Sequence, residues 1–289
     1  MRRFMQQAYD GCCLHDRSRA RAEAAREDLQ LDYGIKGRKA IVCASSRGLG
    51  RGCALALAEA GCDLVVNGRD AGKLADTAAE IRDRYGVNVI EVAADVGTAE
   101  GQRALLEAAP QSDILVNNNA GPPLRDFRDL TRQSMIDGVA NNMITPIELI
   151  QAVIDGMAER GFGRIVNITS LSVYMPITGL DLSSGARAGL TAFLAGVARP
   201  VAHRNVTINS ILPGKFDTDR IRANLEHGAK KGGITVEERR QQQIDEIPAK
   251  RFGTAEEFGQ ACAFLCSAHA GYITGQNLRL DGGLFPAAF

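Results

Sequence analysis

A glycine-containing turn near the start of the chain offers backbone groups that could hold a phosphate. The apolar run Lys39–Cys43 leads into residues 44–50 (Ala-Ser-Ser-Arg-Gly-Leu-Gly), and a helical stretch follows. Such a turn can direct backbone N–H groups and the positive end of a helix at a pyrophosphate. Gly48 and Gly50 lack the Cβ atoms that would obstruct close approach of a ligand. A plain strand-to-helix turn is the alternative, but its place after the first strand favours a nucleotide site. The residues expected to line that site are Ala44, Ser46, Arg47, Gly48, Leu49 and Gly50.

The end of the second apolar run, Asp63–Asn67, indicates which dinucleotide binds. An acidic residue there would bind the ribose hydroxyls and repel a 2′-phosphate, but the chain continues with Gly68 and Arg69. Arg47 and Arg69 could form a cationic clamp for a phosphate, with two solvated surface arginines as the alternative. Asp70, one residue further, is expected to face solvent or to cap the next helix. The sequence therefore favours NADP(H) over NAD(H).

The elements that carry these residues alternate between short apolar runs and helical stretches. Alternation of this kind predicts βαβ units, and hence an α/β fold: a doubly wound parallel sheet of about seven strands, covered by helices on both faces. Ligands are then expected at the carboxyl ends of the strands. The predicted strands are Lys39–Cys43, Asp63–Asn67, Asn88–Ala93, Ile114–Val116, Arg164–Ile168, Thr207–Ile211 and Asn277–Leu280. The predicted helices are Gly52–Ala60, Ala71–Tyr85, Ala99–Ala109, Gln133–Arg160, Ala186–Ala202 and Ala255–Cys266.

Length and composition limit the remaining possibilities. The chain has 289 residues, of which 45% are hydrophobic, and its 34 basic and 34 acidic residues balance. This balance argues against a broad nucleic-acid or anionic-membrane surface, and no apolar run approaches the roughly 20 residues needed to span a bilayer. We expect residues 35–289 to form one domain. Residues 1–34, which mix arginines with acids and contain few large apolar residues, are expected to be a poorly ordered or helical extension.

The seven cysteines are scattered and odd in number. They show neither a disulfide framework nor the spacing of a zinc site, so we expect no metal. Buried free thiols are the favoured interpretation, which places the protein in a reducing, cytoplasmic compartment.

Several further motifs occur in one collinear order. The chain resembles the short-chain dehydrogenase/reductase family, and is closest in style to the 3-oxoacyl-(acyl carrier protein) reductases. It matches the last two glycines of TGxxxGxG, with Cys43-Ala44 where Thr-Gly is usual. The other matches are Asp95-Val96, the Asn-Ala-Gly segment after Val116, Pro213-Gly214 with Thr218, RFGTAEE at 251–257 and TGQNLRLDGG at 274–283. The resemblance covers about residues 36–286 and implies a Rossmann-type fold that binds a nucleotide.

The resemblance also implies roles for residues beyond the glycine turn. It gives Asp95 a contact with adenine and places the Asn118–Gly121 region beside the nicotinamide. The cofactor site that it implies further includes Val96, Arg187, Pro213, Gly214, Phe216 and Thr218. Residues 117–121 (Asn-Asn-Asn-Ala-Gly) carry one additional asparagine. Either the loop is one residue longer, or Asn119 occupies a position that is normally alanine.

Members of this family usually reduce a carbonyl group with an Asn-Ser-Tyr-Lys set. Asn142 and Ser170 match the asparagine and the serine, but Ser183 and Arg187 stand where the YxxxK tyrosine and lysine are usual. A serine hydroxyl is much less acidic than a phenol, whose pKa begins near 10. Arg187 is expected to stay cationic, with a pKa above about 12, and to be unable to make Ser183 an acid at neutral pH.

Three interpretations follow from this departure. The first is an NADP(H)-dependent oxidoreductase that takes its proton from water relayed through Ser170 and Ser183, or from Tyr174, for which simple packing is the alternative. The second is a lyase or isomerase in which Ser170, Asn142 and Arg187 stabilise an oxyanion. The third is a non-catalytic binding subunit. The expected substrate is a small carbonyl compound or an acyl thioester beneath a lid at 217–250, and the expected assembly is a homo-oligomer, either a tetramer or a dimer.

Overall fold

Seven parallel strands form a single sheet in the part of the chain that the structure, a computed structural model, describes, namely residues 32–287. The strand order is β3-β2-β1-β4-β5-β6-β7. β1 lies between β2 and β4, where Ala40 pairs with Leu64 of β2 and with Ile114 of β4. This arrangement confirms the predicted doubly wound sheet. Its strands are β1 (Lys39–Val42), β2 (Asp63–Gly68), β3 (Val89–Ala93), β4 (Ile114–Asn117), β5 (Gly163–Ile168), β6 (Val206–Pro213) and β7 (Asn277–Leu280). The predicted extension lies almost entirely outside the described residues.

The helices cover both faces of the sheet, because neighbouring strand residues point to opposite sides. In β1, Val42 packs in one apolar cluster with α1, α2 and α9, whereas Ile41 packs in a second cluster with α3, α5 and α6. The helices are α1 (Gly48–Glu59), α2 (Ala71–Tyr85), α3 (Ala99–Ala108), α4 (Arg132–Val139), α5 (Thr145–Arg160), α6 (Asp181–Val201), α7 (Asp219–Gly232), α8 (Val236–Asp245) and α9 (Ala255–Cys266).

Three helices differ from their predicted bounds in ways that concern the site. The predicted helix Gln133–Arg160 is divided by a π-helical turn at Ala140–Ile144. Pro146, in the first turn of α5, has no N–H to continue the regular hydrogen-bond ladder. α1 begins four residues earlier than predicted, inside the glycine turn, and α6 begins five residues earlier, at Asp181.

α1 and α9 touch through their backbones. A Cβ atom on Gly52 would lie 2.0 Å from the Ala255 carbonyl oxygen, and one on Gly259 would lie 2.2 Å from the Gly52 carbonyl oxygen. Only glycine permits this approach, so α1 is fixed against the last helix of the domain.

The five cysteines within the described residues are buried free thiols, as predicted: Cys43, Cys53, Cys62, Cys262 and Cys266. Burial raises the pKa of the Cys43 thiol to about 12, so this thiol stays protonated at neutral pH. No helix between residues 32 and 287 is long and apolar enough to cross a membrane.

Candidate active site

The glycine turn presents an N-terminus of α1 that no side chain of the described residues caps. Arg47 occupies the cap position in an extended conformation without a side-chain hydrogen bond to the helix. Gly48 follows with φ +58°, a left-handed conformation that favours glycine. A Cβ atom on Gly50 would lie 2.3 Å from the Ala44 carbonyl oxygen. Gly50 is therefore required by the backbone of the turn itself, a reason that the sequence analysis did not give.

Ala44 is held in a left-handed conformation, with φ +46°. This is the position at which the resemblance has glycine, and the conformation costs an alanine roughly 1–2 kcal/mol. The Ala44 N–H donates to Asn67 Oδ1 at 3.2 Å, and Asn118 Nδ2 donates to the Ala44 carbonyl oxygen at 3.3 Å. These two asparagines fix the strained residue in place.

Asn67 is a site-forming residue that the sequence analysis counted only as a strand end. Its side chain is buried, and Nδ2 donates to the carbonyl oxygens of Val92 and Ala94, both at 3.0 Å. Ser45 Oγ accepts from the Asn67 N–H at 2.9 Å. The signal available in the sequence was a polar residue within an otherwise apolar run, since a buried amide must find partners.

The two arginines of the predicted clamp lie in front of this turn and are mostly exposed. Arg47 is 3.8 Å from Asp219, and Arg69 is 3.7 Å from Asp95. Both separations are longer than charge-assisted hydrogen bonds, so neither carboxylate holds its arginine firmly. Asp70 caps α2 by accepting from the Lys73 N–H at 3.1 Å, as expected, and this bond lowers the pKa of its carboxyl group.

The other predicted cofactor residues divide into two groups. Thr218 lies against the turn, with its Cγ2 atom 3.7 Å from the position of a Cβ on Gly48. Asp95 accepts from the Gly97 N–H and faces Arg69, which agrees with a place at the nucleotide edge. The Phe216 ring is buried edge-on against Phe258, with ring centroids 5.3 Å apart, so any contact of Phe216 with a cofactor would be made by its backbone.

Several predicted positions act mainly through their backbone or packing in the described chain. Ser46 offers its carbonyl oxygen to the Thr77 hydroxyl at 3.2 Å, and Leu49 packs on the core. Val96 is buried in the second apolar cluster. Pro213 ends β6, and a Cβ on Gly214 would lie 2.8 Å from the Asp281 Cα.

The three consecutive asparagines after β4 each have a different partner. Asn117, the last residue of β4, donates to Asn167 Oδ1 at 3.0 Å. Asn118 contacts the glycine turn as described above, and Asn119 Nδ2 donates to the Asn141 carbonyl oxygen at 3.2 Å. The end of β4 is thereby tied to β5, to the glycine turn and to the π-helical turn.

Ser183 and Arg187 lie one turn apart on α6, because this helix begins at Asp181. Arg187 donates from Nε to Ser183 Oγ at 3.2 Å and from Nη1 to the Ile168 carbonyl oxygen at 2.6 Å. Ser170 follows Ile168 by two residues, and its Oγ accepts from the Ser172 N–H at 3.1 Å. Each serine oxygen thus accepts a bond from the chain, which leaves its hydroxyl proton available to a ligand.

Asn142 lies in the π-helical turn on the other side of the same site. Its Nδ2 donates to the Gly138 carbonyl oxygen at 3.1 Å, and its buried Oδ1 has no hydrogen-bond partner among the described residues. Asn142 and Arg187 line one small cavity of about 20 Å³, together with Asn117, Asn167 and several aliphatic side chains. The structure therefore brings the predicted asparagine and arginine together.

Arg187 is almost fully buried, with 8% of its surface exposed. Burial, and secondarily the charge of Arg220, lower the pKa of its guanidinium to about 10. This corrects the expectation of a value above 12, although the group is still cationic at neutral pH. The sequence alone does not distinguish Arg220 from the other basic residues of the predicted lid; its Nη1 and Nη2 donate to the carbonyl oxygens of Gly121 and Pro122 at 3.3 and 3.1 Å.

Tyr174 has ring contacts that agree with the packing alternative. Its ring is about two-fifths exposed and lies 5.9 Å from the Phe285 ring. The Arg279 guanidinium is 5.8 Å from its centroid.

Comparison with known proteins agrees with this geometry. Residues 43–285 match the family profile described as enoyl-(acyl carrier protein) reductase. The 3-oxoacyl-[acyl-carrier-protein] reductase FabG of Aquifex aeolicus is 32% identical over 262 residues, covering 88% of this chain and all of that protein. The NADPH-dependent reductase BacG of Bacillus subtilis is 30% identical over 251 residues, covering 85% of this chain and 97% of that protein.

Among solved structures, L-sorbose reductase from Gluconobacter frateurii, complexed with NADPH and L-sorbose, superimposes with a TM-score of 0.84 at 29% identity. The match covers 89% of this chain and 100% of that one.

Proposed function

The chain belongs to the short-chain dehydrogenase/reductase family, and from this premise we propose that it is an NADP(H)-dependent oxidoreductase acting on a carbonyl or alcohol substrate, in the manner of the 3-oxoacyl reductases. The relatives confirm the oxidoreductase class and the preference for NADP(H) that the sequence predicted. The observation that carries the proposal is the start of α1 without a side-chain cap, with Arg47 at the cap position and Arg69, not an acidic residue, directly after β2.

This arrangement fits a phosphorylated dinucleotide. The free N–H groups at the start of α1, from Gly48 onward, suit the diphosphate. Arg47 and Arg69 are held only by exposed ion pairs of 3.7–3.8 Å, which contribute about 0–1 kcal/mol, so both can turn to a 2′-phosphate. We propose that Asp95 and Thr218 complete this site from the two neighbouring loops.

When bound, the nicotinamide ring supplies or accepts the hydride. The residues of the chain orient the substrate oxygen and stabilise its developing negative charge. The hydroxyl groups of Ser170 and Ser183 are both free to donate to that oxygen, and the Arg187 cation behind Ser183 favours an alkoxide there. Because neither serine is an acid at neutral pH, we propose that water delivers the proton through these hydroxyls.

Two measurements test this function. Titration with NADPH should give a complex, and a panel of ketones and 3-oxoacyl thioesters should include compounds that oxidise NADPH. Ser170→Ala should lose most of that oxidation and keep its NADPH affinity, because Ser170 contacts the substrate rather than the nucleotide. Substrate turnover without a change in nicotinamide absorbance would instead indicate a lyase or isomerase. Absence of any NADPH complex would refute the proposal.

We further propose a cytoplasmic homo-oligomer in which residues 217–250 form the lid and residues 1–34 are an extension to the single domain. Helices α7 and α8 share an apolar cluster around Leu225, Ile247 and Phe252, and Arg220 of α7 donates to the carbonyl oxygens of Gly121 and Pro122 beside the site. The small residues Ala192, Ala195 and Gly196 are exposed on α6 and would permit close approach of a second copy. Light scattering that gave a monomer at micromolar concentration would contradict this assembly.

A further inference from the structure

We propose that Arg187 and Arg220 bind an anionic group of the substrate, so that the enzyme acts on oxo acids with a carboxylate beside the reacting carbonyl. This inference rests on the proposed function, because it names the substrate class of the same site.

The two guanidinium groups converge on one point. A Cβ atom on Gly121 would lie 3.1 Å from Arg220 Nη1 and 3.5 Å from Arg187 Nη2. Arg187 is buried, whereas Arg220 is partly open to solvent, and the charge of Arg220 contributes to the lowered pKa of Arg187. Two neighbouring cations in such a place raise the free energy of the folded protein unless an anion joins them.

The described residues do not supply that anion. Neither Arg187 nor Arg220 forms an ion pair with a carboxylate between residues 32 and 287, although the start of α7 is acidic. Asp217 pairs with Arg222 and Arg240, and Asp219 pairs with Arg47 and Arg222. The acids nearest in sequence to Arg220 are therefore already engaged by other arginines.

Arg164 shows how this chain satisfies a buried guanidinium that has only a structural role. Its three nitrogens donate to four oxygens, those of Ser267, Gly163 and Asn205, and the group stacks on Phe162. Arg187 Nη2, by contrast, has no hydrogen-bond acceptor among the described residues. A planar carboxylate suits this open nitrogen together with Arg220.

The position of the pair favours the substrate over the cofactor as the source of the anion. Arg187 bonds directly to Ser183, one of the hydroxyls proposed to hold the reacting oxygen. The phosphates of the dinucleotide have their own site at the start of α1, with Arg47 and Arg69. An anion at Gly121 is thus next to the reacting carbonyl.

Oxamate provides a direct test, because it joins a carboxylate to a carbonyl group and has no reducible ketone. Calorimetric titration of the NADP⁺ complex should show that oxamate binds and that uncharged oxamide does not. Arg220→Gln should weaken oxamate binding at least about tenfold, the equivalent of one charge-assisted hydrogen bond. Arg222→Gln removes the same charge two residues away on α7, and it should change oxamate affinity by less than about twofold.

The outcomes are separable. Equal oxamate affinity in Arg220→Gln and the wild type, or no oxamate binding to the wild type, would overturn the inference. A parallel loss of NADPH affinity in Arg220→Gln would also overturn it, by assigning the anion to the cofactor. Failure of the wild type to bind NADPH would count against the proposed function instead. Titration of oxamate without nucleotide then tests the anion site separately from cofactor binding.

Discussion

Reversing the charge at Arg69 should change the cofactor preference of this protein. Arg69 is about two-thirds exposed, and its ion pair with Asp95 spans 3.7 Å. Surface pairs of this kind contribute about 0–1 kcal/mol, so Arg69→Glu should leave the free energy of unfolding almost unchanged. The effect should fall on the ligand, because the residue faces the expected position of the 2′-phosphate.

The magnitude follows from two contributions. Loss of one charge-assisted hydrogen bond costs about 1.5–3 kcal/mol, which corresponds to roughly 10–150-fold in the Kd of NADPH. A carboxylate in its place adds repulsion of about 1 kcal/mol for charges some 4 Å apart in water, or roughly a further fivefold. NADH lacks the 2′-phosphate, so its Kd should change by less than about threefold.

The assay is fluorescence titration of wild type and Arg69→Glu with both nucleotides at low and high salt. High salt screens the charges, so it should reduce the difference in NADPH affinity between the wild type and Arg69→Glu. Arg128→Glu is the matched control, since Arg128 is an exposed arginine that pairs with Asp126 and was not predicted to contact the nucleotide. Equal losses of affinity for NADPH and NADH would show that Arg69 does not contact the 2′-phosphate. The argument that Arg69 selects NADP(H) would then be wrong.

Three further changes follow from the strained turn and the buried arginine. Ala44→Gly should stabilise the protein by about 1 kcal/mol in chemical denaturation, because glycine adopts φ +46° without the alanine penalty. Ser183→Tyr combined with Arg187→Lys should increase the kcat of ketone reduction, measured by NADPH absorbance, because a phenol with a lowered pKa replaces water as the acid. Oxamate affinity should be constant near neutral pH and fall as pH rises through about 10, where Arg187 loses its proton.

Each of these expectations has its own control. Ala192→Gly removes the same methyl group from the exposed face of α6 and should destabilise the protein by up to about 1 kcal/mol. If both glycine variants lose stability, the turn at Ala44 is not strained. For the double variant, unchanged ketone reduction with unchanged NADPH binding would show that the missing acid does not limit the rate. Circular dichroism across the pH range separates loss of the Arg187 charge from alkaline unfolding.

The fold was predictable because its signals are local and repeated. Helices Ala71–Tyr85 and Ala255–Cys266 have their predicted bounds, since each begins at a capping residue, Asp70 or Thr254, that the chain places next to an amphipathic stretch. The π-helical turn before Pro146 was not predictable, because nothing in the periodicity distinguishes it from a regular helix. The beginning of α1 also escaped periodicity, since glycines carry no apolar pattern.

The sequence predicts a site residue only where the residue type and its position together indicate one role. Ser170 was predicted from the resemblance, and the glycine turn from its position after the first strand. Asn67 was missed because its importance depends on partners in β3 and in the turn, which come together only after folding. Arg220 was missed because, in sequence, it is one of several charges in a mixed segment. Arg220 differs from those other charged residues because it has no carboxylate partner among the described residues. Only the three-dimensional structure shows this difference.

The contact between Gly52 and Gly259 has a consequence for biosynthesis. The glycine turn is translated early, but the helix that holds α1 in place follows about 200 residues later. At roughly 5–20 residues per second, a ribosome needs on the order of 10–40 s to make that segment. Until α9 has been synthesised, α1 exposes the side that α9 will cover. Ligand binding can therefore stabilise the folded chain only after this helix has been made.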